Sequence, residues 1–190
     1  MSVHTPLFES EQIRLGPIDH EKDAEVESCW THDAEFMRLM YLEPARPFSP
    51  WQVKKKYEAL EKSIEEEKNL FHFRIRARED GRLIGLAEIY FISWANAVGS
   101  IRLGIGAAED RRRGYGSETL RLLLRYAFTE LNLYRLTALI PEYNTGALAL
   151  FREAGFVEEV CRRQALARDG QRWDLFHYGL LSEEWQRRAK

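Results

Sequence analysis

The chain has 190 residues, 45% hydrophobic and 31% charged, with a formal net charge of −2 at pH 7; these values are typical of a globular protein with a full core, and no global field favours nucleic acid. Its two cysteines, Cys29 and Cys161, are too few for a disulfide framework or a structural zinc site, so we expect no metal. The start of the sequence lacks the basic and apolar regions of a secretory signal, and no run approaches the ~18 apolar residues of a membrane span, so we expect a cytoplasmic protein with no membrane partner.

The first part of the chain predicts a strand, a helical region and a loop. Gln12–Ile18 is interpreted as a short strand. Asp19 is a candidate N-cap for a helical region over residues 19–40. Three prolines within residues 43–50 then predict a loop.

A further helix is predicted to begin at the end of this loop. Ser49 is its N-cap, Pro50 occupies the first helical position, and Gln52 completes a capping box. Apolar residues then recur at helical spacing, namely Val53, Tyr57, Leu60 and Ile64.

The middle of the chain changes to the period of two that is typical of strands. Apolar residues alternate over Phe71–Ile75 and Ile101–Ala107, and the segment Leu83–Ile92 is apolar and rich in β-branched and aromatic residues. Asp80 and Gly81 mark a hairpin turn. We therefore expect three consecutive strands in an antiparallel meander.

The remaining segment predicts two helices and three strands. Apolar residues over Leu120–Leu131 occupy one face of a helix, and Arg135–Ile140 is interpreted as a buried strand. Asn144 is placed to cap the second helix and Gly155 to end it. Residues 156–181, with a turn at Asp169-Gly170, predict a closing hairpin.

The segment EDRRRGYGSETL, residues 109–120, places three arginines and two glycines directly before a helix. Helix N-termini present free N–H groups to anions, and glycines let an anion approach the backbone. A P-loop would need a lysine that is absent here, and a dinucleotide-binding turn would need glycine where Thr119 stands. The pattern indicates a phosphate cradle of another kind, with a solvated surface turn as the alternative.

Three features together resemble the GNAT superfamily of acyl-CoA-dependent N-acyltransferases. The first is the order of elements. The second is the motif Arg111-x-x-Gly114-x-Gly116, which matches the superfamily's pyrophosphate signature Q/R-x-x-G-x-G/A. The third is the set Asn144, Phe151 and Gly155-Phe156.

This resemblance covers about residues 12–181, which we interpret as a single N-acetyltransferase domain. It implies an α/β fold with a mixed, largely antiparallel sheet of about six to seven strands, about four flanking helices and a C-terminal hairpin. The phrase AFTELNLYRL, residues 127–136, resembles the branch that contains ribosomal-protein N-terminal and spermidine N-acetyltransferases.

The resemblance implies acetyl-CoA as the donor substrate and a primary amine as the acceptor. The N–H groups of residues 112–117 would hold the pyrophosphate, and the strand edge at 103–106 would pair with the pantetheine, which would explain Gly104 and Gly106. The Ile105 N–H would stabilise the oxyanion. The cofactor-binding residues implied are Leu103, Ile105, Arg111, Arg112, Arg113, Gly114, Tyr115, Gly116, Ser117, Asn144 and Phe151. For Asn144 a plain N-cap, and for Phe151 plain core packing, remain alternatives.

Glu88 is the candidate general base, because a carboxylate inside an apolar strand is costly unless it faces a cleft or is paired. The alternative is an ion pair with Arg102 on the next strand, where many relatives carry an acid. His72 and His177 could also be bases, although single strand histidines are usually structural.

A tyrosine of many relatives, which acts as general acid, is replaced by Phe151. Candidate donors in its place are Tyr115, Tyr143 and Ser117. The general acid stays open, and the change favours N-terminal amine chemistry over polyamines.

The acceptor is the least determined part of the reaction. Neutralising an alkylamine at pH 7 costs about 4.6 kcal/mol, but an α-amine only about 1.4 kcal/mol. A general base therefore matters more for polyamine or lysine acceptors than for N-termini. Together with Phe151 this favours a protein N-terminus, with a small amine such as a polyamine or amino sugar as the alternative. The groove would draw on core or lining residues Trp30, Phe36, Met37, Met40, Tyr41, Phe48 and Trp51. A non-catalytic acyl-CoA-binding protein and a homodimer are also left open.

Overall fold

The strand segments of the sequence assemble into one seven-stranded sheet in a computed structural model that describes residues 6–188. The strand order is β1-β2-β3-β4-β5-β7-β6. The strands are β1 (Ile13–Gly16), β2 (Phe71–Ala77), β3 (Leu83–Ser93), β4 (Val98–Ile105), β5 (Arg135–Pro141), β6 (Val157–Arg168) and β7 (Gln171–Leu181). The predicted fold class is confirmed, including the meander β2-β3-β4 and the closing hairpin β6-β7.

Six helices flank the sheet within residues 6–188, two more than the sequence pattern indicated. They are α1 (Asp23–Thr31), α2 (Ala34–Met40), α3 (Pro50–Glu67), α4 (Tyr115–Arg125), α5 (Thr145–Glu153) and α6 (Ser182–Arg188), and α4 continues into a π-helical turn, Tyr126–Glu130. The predicted region 19–40 divides at residues 32–33, and α6 follows the last strand. No helix of these described residues is long and apolar enough to cross a bilayer.

The helix starts follow local side-chain chemistry, with one exception. Ser49 accepts from the Gln52 N–H at 3.3 Å and donates its own N–H to the Gln52 side chain at 2.9 Å, which confirms the capping box. The assignment of Asp19 as N-cap was wrong. Lys22 occupies that position without a side-chain cap, and Asp19 instead accepts from the N–H groups of Glu21 and Lys22 in the preceding turn.

Two groups of helices bury the two faces of the sheet. Helices α4 and α5 cover a core that includes Ile89, Leu123 and Phe151. Helices α1 to α3 cover a second core, in which five of the seven candidate groove residues are buried, namely Trp30, Phe36, Met37, Met40 and Phe48. The other two candidates, Tyr41 and Trp51, are partly buried and 66% exposed, respectively.

Gly104 in β4 and Gly106 directly after it pack against this second core, which changes their sequence interpretation. A Cβ on Gly106 would lie 2.0 Å from the Trp30 ring, and one on Gly104 would lie 2.7 Å from the Met40 sulfur. Both side-chain positions therefore face packed helices. Close helix packing is sufficient to explain why these two residues are glycine.

The sheet opens between β4 and β5. These strands are parallel and pair only over Val98–Ser100 with Arg135–Thr137, whereas β5 pairs with β7 along its whole length. Beyond Ser100, β4 has no strand partner on this side among the described residues. The resulting gap positions the candidate site.

Candidate active site

One wall of the gap is a strand edge with free hydrogen-bonding directions. The Gly106 N–H donates to the Ile84 carbonyl of β3 at 2.9 Å, and the register pairs Ile105 with Gly85. N–H groups alternate in direction along an antiparallel strand. The N–H groups of Leu103 and Ile105 therefore point away from β3, into the gap.

A turn with concentrated N–H groups follows this edge. Arg112 and Gly114 both have left-handed backbone, with φ of 61° and 88°. Gly114 is the N-cap of α4 and offers no capping side chain, and the first helical bond runs from the Glu118 N–H to the Gly114 carbonyl. The N–H groups of residues 115–117 thus have no acceptor within the helix. This arrangement has the form of an anion-binding nest.

A cavity of about 410 Å³, here called the donor cavity, lies over this turn. Its wall includes Leu103, Ile105, Arg112, Gly114, Gly116, Ser117 and Asn144. A Cβ on Gly116 would meet only Leu150 at 3.6 Å and Leu103 at 3.9 Å, both ordinary contacts. The protein itself therefore leaves room at Gly116, and side-chain bulk there would enter the cavity.

The three arginines of the turn divide into one bonded and two solvated side chains. Arg111 donates to Asp33 at 2.9 Å, to Glu35 at 2.8 Å and to the Gly106 carbonyl at 2.8 Å. Burial tends to raise the pKa of Asp33, but the bonds from Arg111 and from backbone N–H groups lower it overall. The Arg111 guanidinium is thus committed to tying α2 to the end of β4, whereas Arg112 and Arg113 are exposed.

Asn144 joins helix α5 to helix α2. Its Oδ1 accepts from the Ala147 N–H at 3.1 Å, which confirms the cap, and its Nδ2 donates to the Leu39 carbonyl at 3.1 Å. An amide nitrogen carries two hydrogens, and the second has no partner among the described hydrogen bonds.

Phe151, one of the cofactor candidates, is 4% exposed and packs on Phe156 in the core.

A second cavity of about 440 Å³, here called the acceptor cavity, adjoins the first. The two share Leu39, Met40, Leu103, Asn144 and Ala147 as lining residues. Glu88 and Arg102 line the acceptor cavity, together with the aromatic residues Tyr41, Tyr90, Phe91 and Phe151. The two cavities are therefore neighbours within the gap, and together they are called the passage, whose two ends are built differently.

Glu88 both pairs with Arg102 and faces a cavity, the two alternatives that the sequence left open. Its Oε2 accepts from Arg102 Nε at 2.5 Å, and its side chain is 8% exposed, yet it lines the acceptor cavity. Arg102 lies between the rings of Tyr41 and Tyr90, at 5.2 and 5.1 Å from their centres. Burial tends to lower the pKa of Arg102, but the Glu88 carboxylate raises it overall. The ion pair is formed, and the carboxylate is not closed off from the cleft.

The two candidate histidines lie in different places. His72 Nε2 is 3.4 Å from Glu88 Oε1, and burial, with Arg74 and Arg102, lowers the pKa of His72 well below its usual value. His72 is therefore neutral at pH 7. His177 lies on β7 and lines neither cavity.

The three candidate hydroxyl donors lie at the donor end of the passage or outside it. Tyr143 and Ser117 line the donor cavity, whereas Tyr115 packs against the core and lines neither cavity. The Tyr143 hydroxyl donates to the Arg38 carbonyl at 3.1 Å, and burial raises the pKa of Tyr143.

Tyr90 and Phe91 were missed by the sequence reasoning. Tyr90 could have been found, because it lies two residues after Glu88 and shares its strand face.

Comparisons with a family model and with curated proteins both identify acetyltransferases. A family model described as an acetyltransferase (GNAT) domain matches residues 12–157. The putative ribosomal N-acetyltransferase YdaF of Bacillus subtilis is 33% identical over 107 residues, which are 56% of this chain and 58% of that protein. The uncharacterized N-acetyltransferase p20 of Bacillus licheniformis is 27% identical over 177 residues, 93% of this chain and 96% of that protein.

Coverage differs among these relatives. The chain spans about half the length of two curated Bacillus subtilis relatives that it matches, 44% and 58%. Among solved structures, spermidine N-acetyltransferase from Vibrio cholerae in complex with CoA and spermine superposes with a TM-score of 0.78. That match has 21% identity and covers 92% of this chain and 98% of the other, so it shows a shared fold.

Proposed function

The chain belongs to the GNAT acetyltransferase family, and from this premise we propose that it transfers the acetyl group of acetyl-CoA to a primary amine, most favourably a protein N-terminal amine. One observation carries the proposal. The passage between β4 and β5 joins an anion-binding turn to a second cavity that contains a carboxylate.

The donor end fits CoA through backbone groups. The N–H groups of residues 115–117 have no acceptor within α4, and no capping side chain competes for them, so they are available to a pyrophosphate together with the left-handed turn at Arg112 and Gly114. The N–H groups of Leu103 and Ile105 face the gap, as pairing with the pantetheine amides requires. Asn144 has a remaining amide hydrogen between the two cavities.

The chemistry divides between a backbone donor and a carboxylate. The amine nitrogen attacks the thioester carbonyl carbon, and the Ile105 N–H donates to the oxygen that becomes negative. The carbon–sulfur bond then breaks, and the CoA thiolate takes up a proton. The amine's own proton passes to Glu88, directly or through a water molecule.

The state of Glu88 favours an acceptor of low basicity. One carboxylate oxygen is already bonded to Arg102, which competes with an incoming ammonium group. A relay through such a paired carboxylate suits an α-amine, whose neutral form costs about 1.4 kcal/mol at pH 7, better than a polyamine at about 4.6 kcal/mol. Phe151 occupies the position where many relatives have a tyrosine that acts as general acid, and this difference also favours an N-terminal amine over a polyamine.

We also propose that the catalytic domain extends over residues 12–181. The family model matches only to residue 157. However, β7 (Gln171–Leu181) lies between β5 and β6 and pairs with both, so the sheet needs it. Truncation at residue 157 would leave the β5 edge unpaired.

The test is thiol release from acetyl-CoA with a panel of amines. The panel contains peptides with free N-termini, the same peptides with blocked N-termini and an internal lysine, spermidine and glucosamine. We expect the fastest release with free N-termini. Faster thiol release with spermidine would favour the small-amine alternative. If the protein binds CoA but no amine in the panel causes thiol release, a non-catalytic protein would be favoured.

A further inference from the structure

Phe91 is an exposed aromatic residue with an unusual backbone. Its φ is 51°, in the left-handed region, and it is 77% exposed. A bulky residue in this region is an outlier that the surrounding structure must hold in place. The pairing of β3 with β4 is irregular between Tyr90 and Ser93, on either side of Phe91.

This conformation changes where the Phe91 side chain points. In a regular strand Phe91 would share the face of the buried Ile89, opposite to Glu88 and Tyr90. Instead Glu88, Tyr90 and Phe91 all line the acceptor cavity, and the rings of Tyr90 and Phe91 lie 5.0 Å apart. Irregular strand pairing is a known means of re-aiming a side chain beside an active site. The strained backbone therefore delivers an aromatic ring to the mouth of this cavity.

The surroundings of Phe91 indicate what the ring would contact. The acceptor cavity also includes Leu42, Leu60, Leu70 and Leu139 in its wall. Its two acids are Glu43, which is exposed, and Glu88, which is paired with Arg102. The cavity thus offers extensive apolar surface but only one carboxylate without a described ion pair. This lining suits an apolar group better than the additional ammonium groups of a polyamine.

From this geometry we infer that Phe91 is a specificity-determining residue that covers an apolar side chain next to the acceptor amine. Phe91 follows Glu88 by three residues, or about 10 Å along the strand. Glu88 also bonds Arg102, which lies 5.1 Å from the centre of the Tyr90 ring, and the Phe91 ring lies 5.0 Å from the Tyr90 ring. The Phe91 ring therefore lies beyond Tyr90 on the same wall as Glu88, where a side chain next to an amine at Glu88 would extend. The inference rests on the proposed acetyl transfer and specifies its acceptor as a peptide N-terminus with a large apolar first residue.

The experiment compares two hexapeptides that differ only in the first residue, leucine or glycine. Phe91→Asn removes the ring and tolerates left-handed backbone, and Phe91→Tyr keeps the ring. Trp94→Ala is a control, because Trp94 is 49% exposed but does not line the cavity. We expect Phe91→Asn to lower kcat/KM about tenfold or more for the leucine peptide, through KM, and less than about twofold for the glycine peptide. Phe91→Tyr and Trp94→Ala should behave like the unchanged protein.

Binding of the N-acetylated peptides to the protein–CoA complex, measured by calorimetry, separates this inference from the proposed function. Selective binding of the acetyl-leucine peptide that is lost in Phe91→Asn, without thiol release, would overturn the proposed function and support the assignment of Phe91. If thiol is released but Phe91→Asn lowers kcat/KM equally for both peptides, or for neither, the assignment of Phe91 is overturned and the proposed function is not.

Discussion

The two ends of the passage between β4 and β5 are built in different ways. The donor end is made largely of backbone N–H groups from one continuous segment, residues 112–117, with the β4 edge beside it. The acceptor end is made of side chains from separate elements, including Tyr41, Glu88 and Arg102. A change at the donor end should therefore act through space and backbone geometry, whereas a change at the acceptor end should act through charge and side-chain identity.

Glu88→Gln tests the acceptor end most directly. It keeps the size of the side chain and removes the charge that would accept the amine's proton. We expect kcat/KM to fall by ~10²- to 10⁴-fold, the acidic limb of the pH–rate profile to disappear, and acetyl-CoA affinity to stay unchanged. Steady-state kinetics over pH 5–9 and calorimetry with CoA would measure these effects.

Glu43→Gln is the matched control, because Glu43 lines the same cavity but is exposed. A large loss of thermal stability in Glu88→Gln with little change in rate would assign Glu88 to the Arg102 ion pair alone, since Arg102 would then be left poorly compensated.

Gly116→Val tests the donor end. The added methyl groups would extend beyond the contacts with Leu150 and Leu103 into the donor cavity. We expect CoA affinity to fall at least about tenfold, roughly 1.4 kcal/mol, while the thermal unfolding midpoint changes little. Gly116→Ala should lose less, because its Cβ makes only ordinary contacts. Unchanged affinity in a folded Gly116→Val protein would show that the pyrophosphate binds elsewhere.

His72 beside Glu88 should make the acceptor end sensitive to acid. Its pKa is lowered in the folded protein, so below about pH 6.5 the unfolded chain binds a proton that the folded protein does not. Stability should therefore fall as the pH decreases below about 6.5.

Urea unfolding between pH 7.5 and 5.5 would measure this dependence, and His72→Gln should flatten it. His32→Gln should not, because His32 is exposed. An equal slope in the unchanged protein and in His72→Gln would contradict the assignment.

The arginines of the turn should contribute attraction more than shape. Arg112→Ala and Arg113→Ala should each weaken CoA binding by about 1 kcal/mol or less, because both side chains are exposed. The loss should shrink in 1 M salt, where the Debye length is ~3 Å. Arg111→Ala offers a contrast, since it should lower stability by releasing Asp33 and Glu35. A large loss in Arg112→Ala that salt does not change would instead indicate a direct, desolvated contact with the phosphates.

Local sequence chemistry predicts most of the elements and the glycine-rich turn before α4, but not the division of residues 19–40 into α1 and α2 or the presence of α6. The capping box at Ser49 and the cap at Asn144 are confirmed because they depend on hydrogen bonds between residues at most three positions apart. The same holds for the meander and the helix after Gly114, which follow from periodicity. The turn at Arg111–Gly116 could be interpreted for the same reason, since glycine and helix-start chemistry act within one continuous segment.

The partners that these residues meet depend on the tertiary structure. Arg111 binds acids about 76 and 78 positions earlier, and Gly106 is small because Trp30 packs against it. The pairing of β4 with β5 ends after three residue pairs, and the left-handed φ of Phe91 turns its ring into the acceptor cavity. Each of these depends on strand register and helix packing across long sequence separations. A local pattern specifies hydrogen bonds along the chain, but the assembled sheet determines which side chains share a cavity.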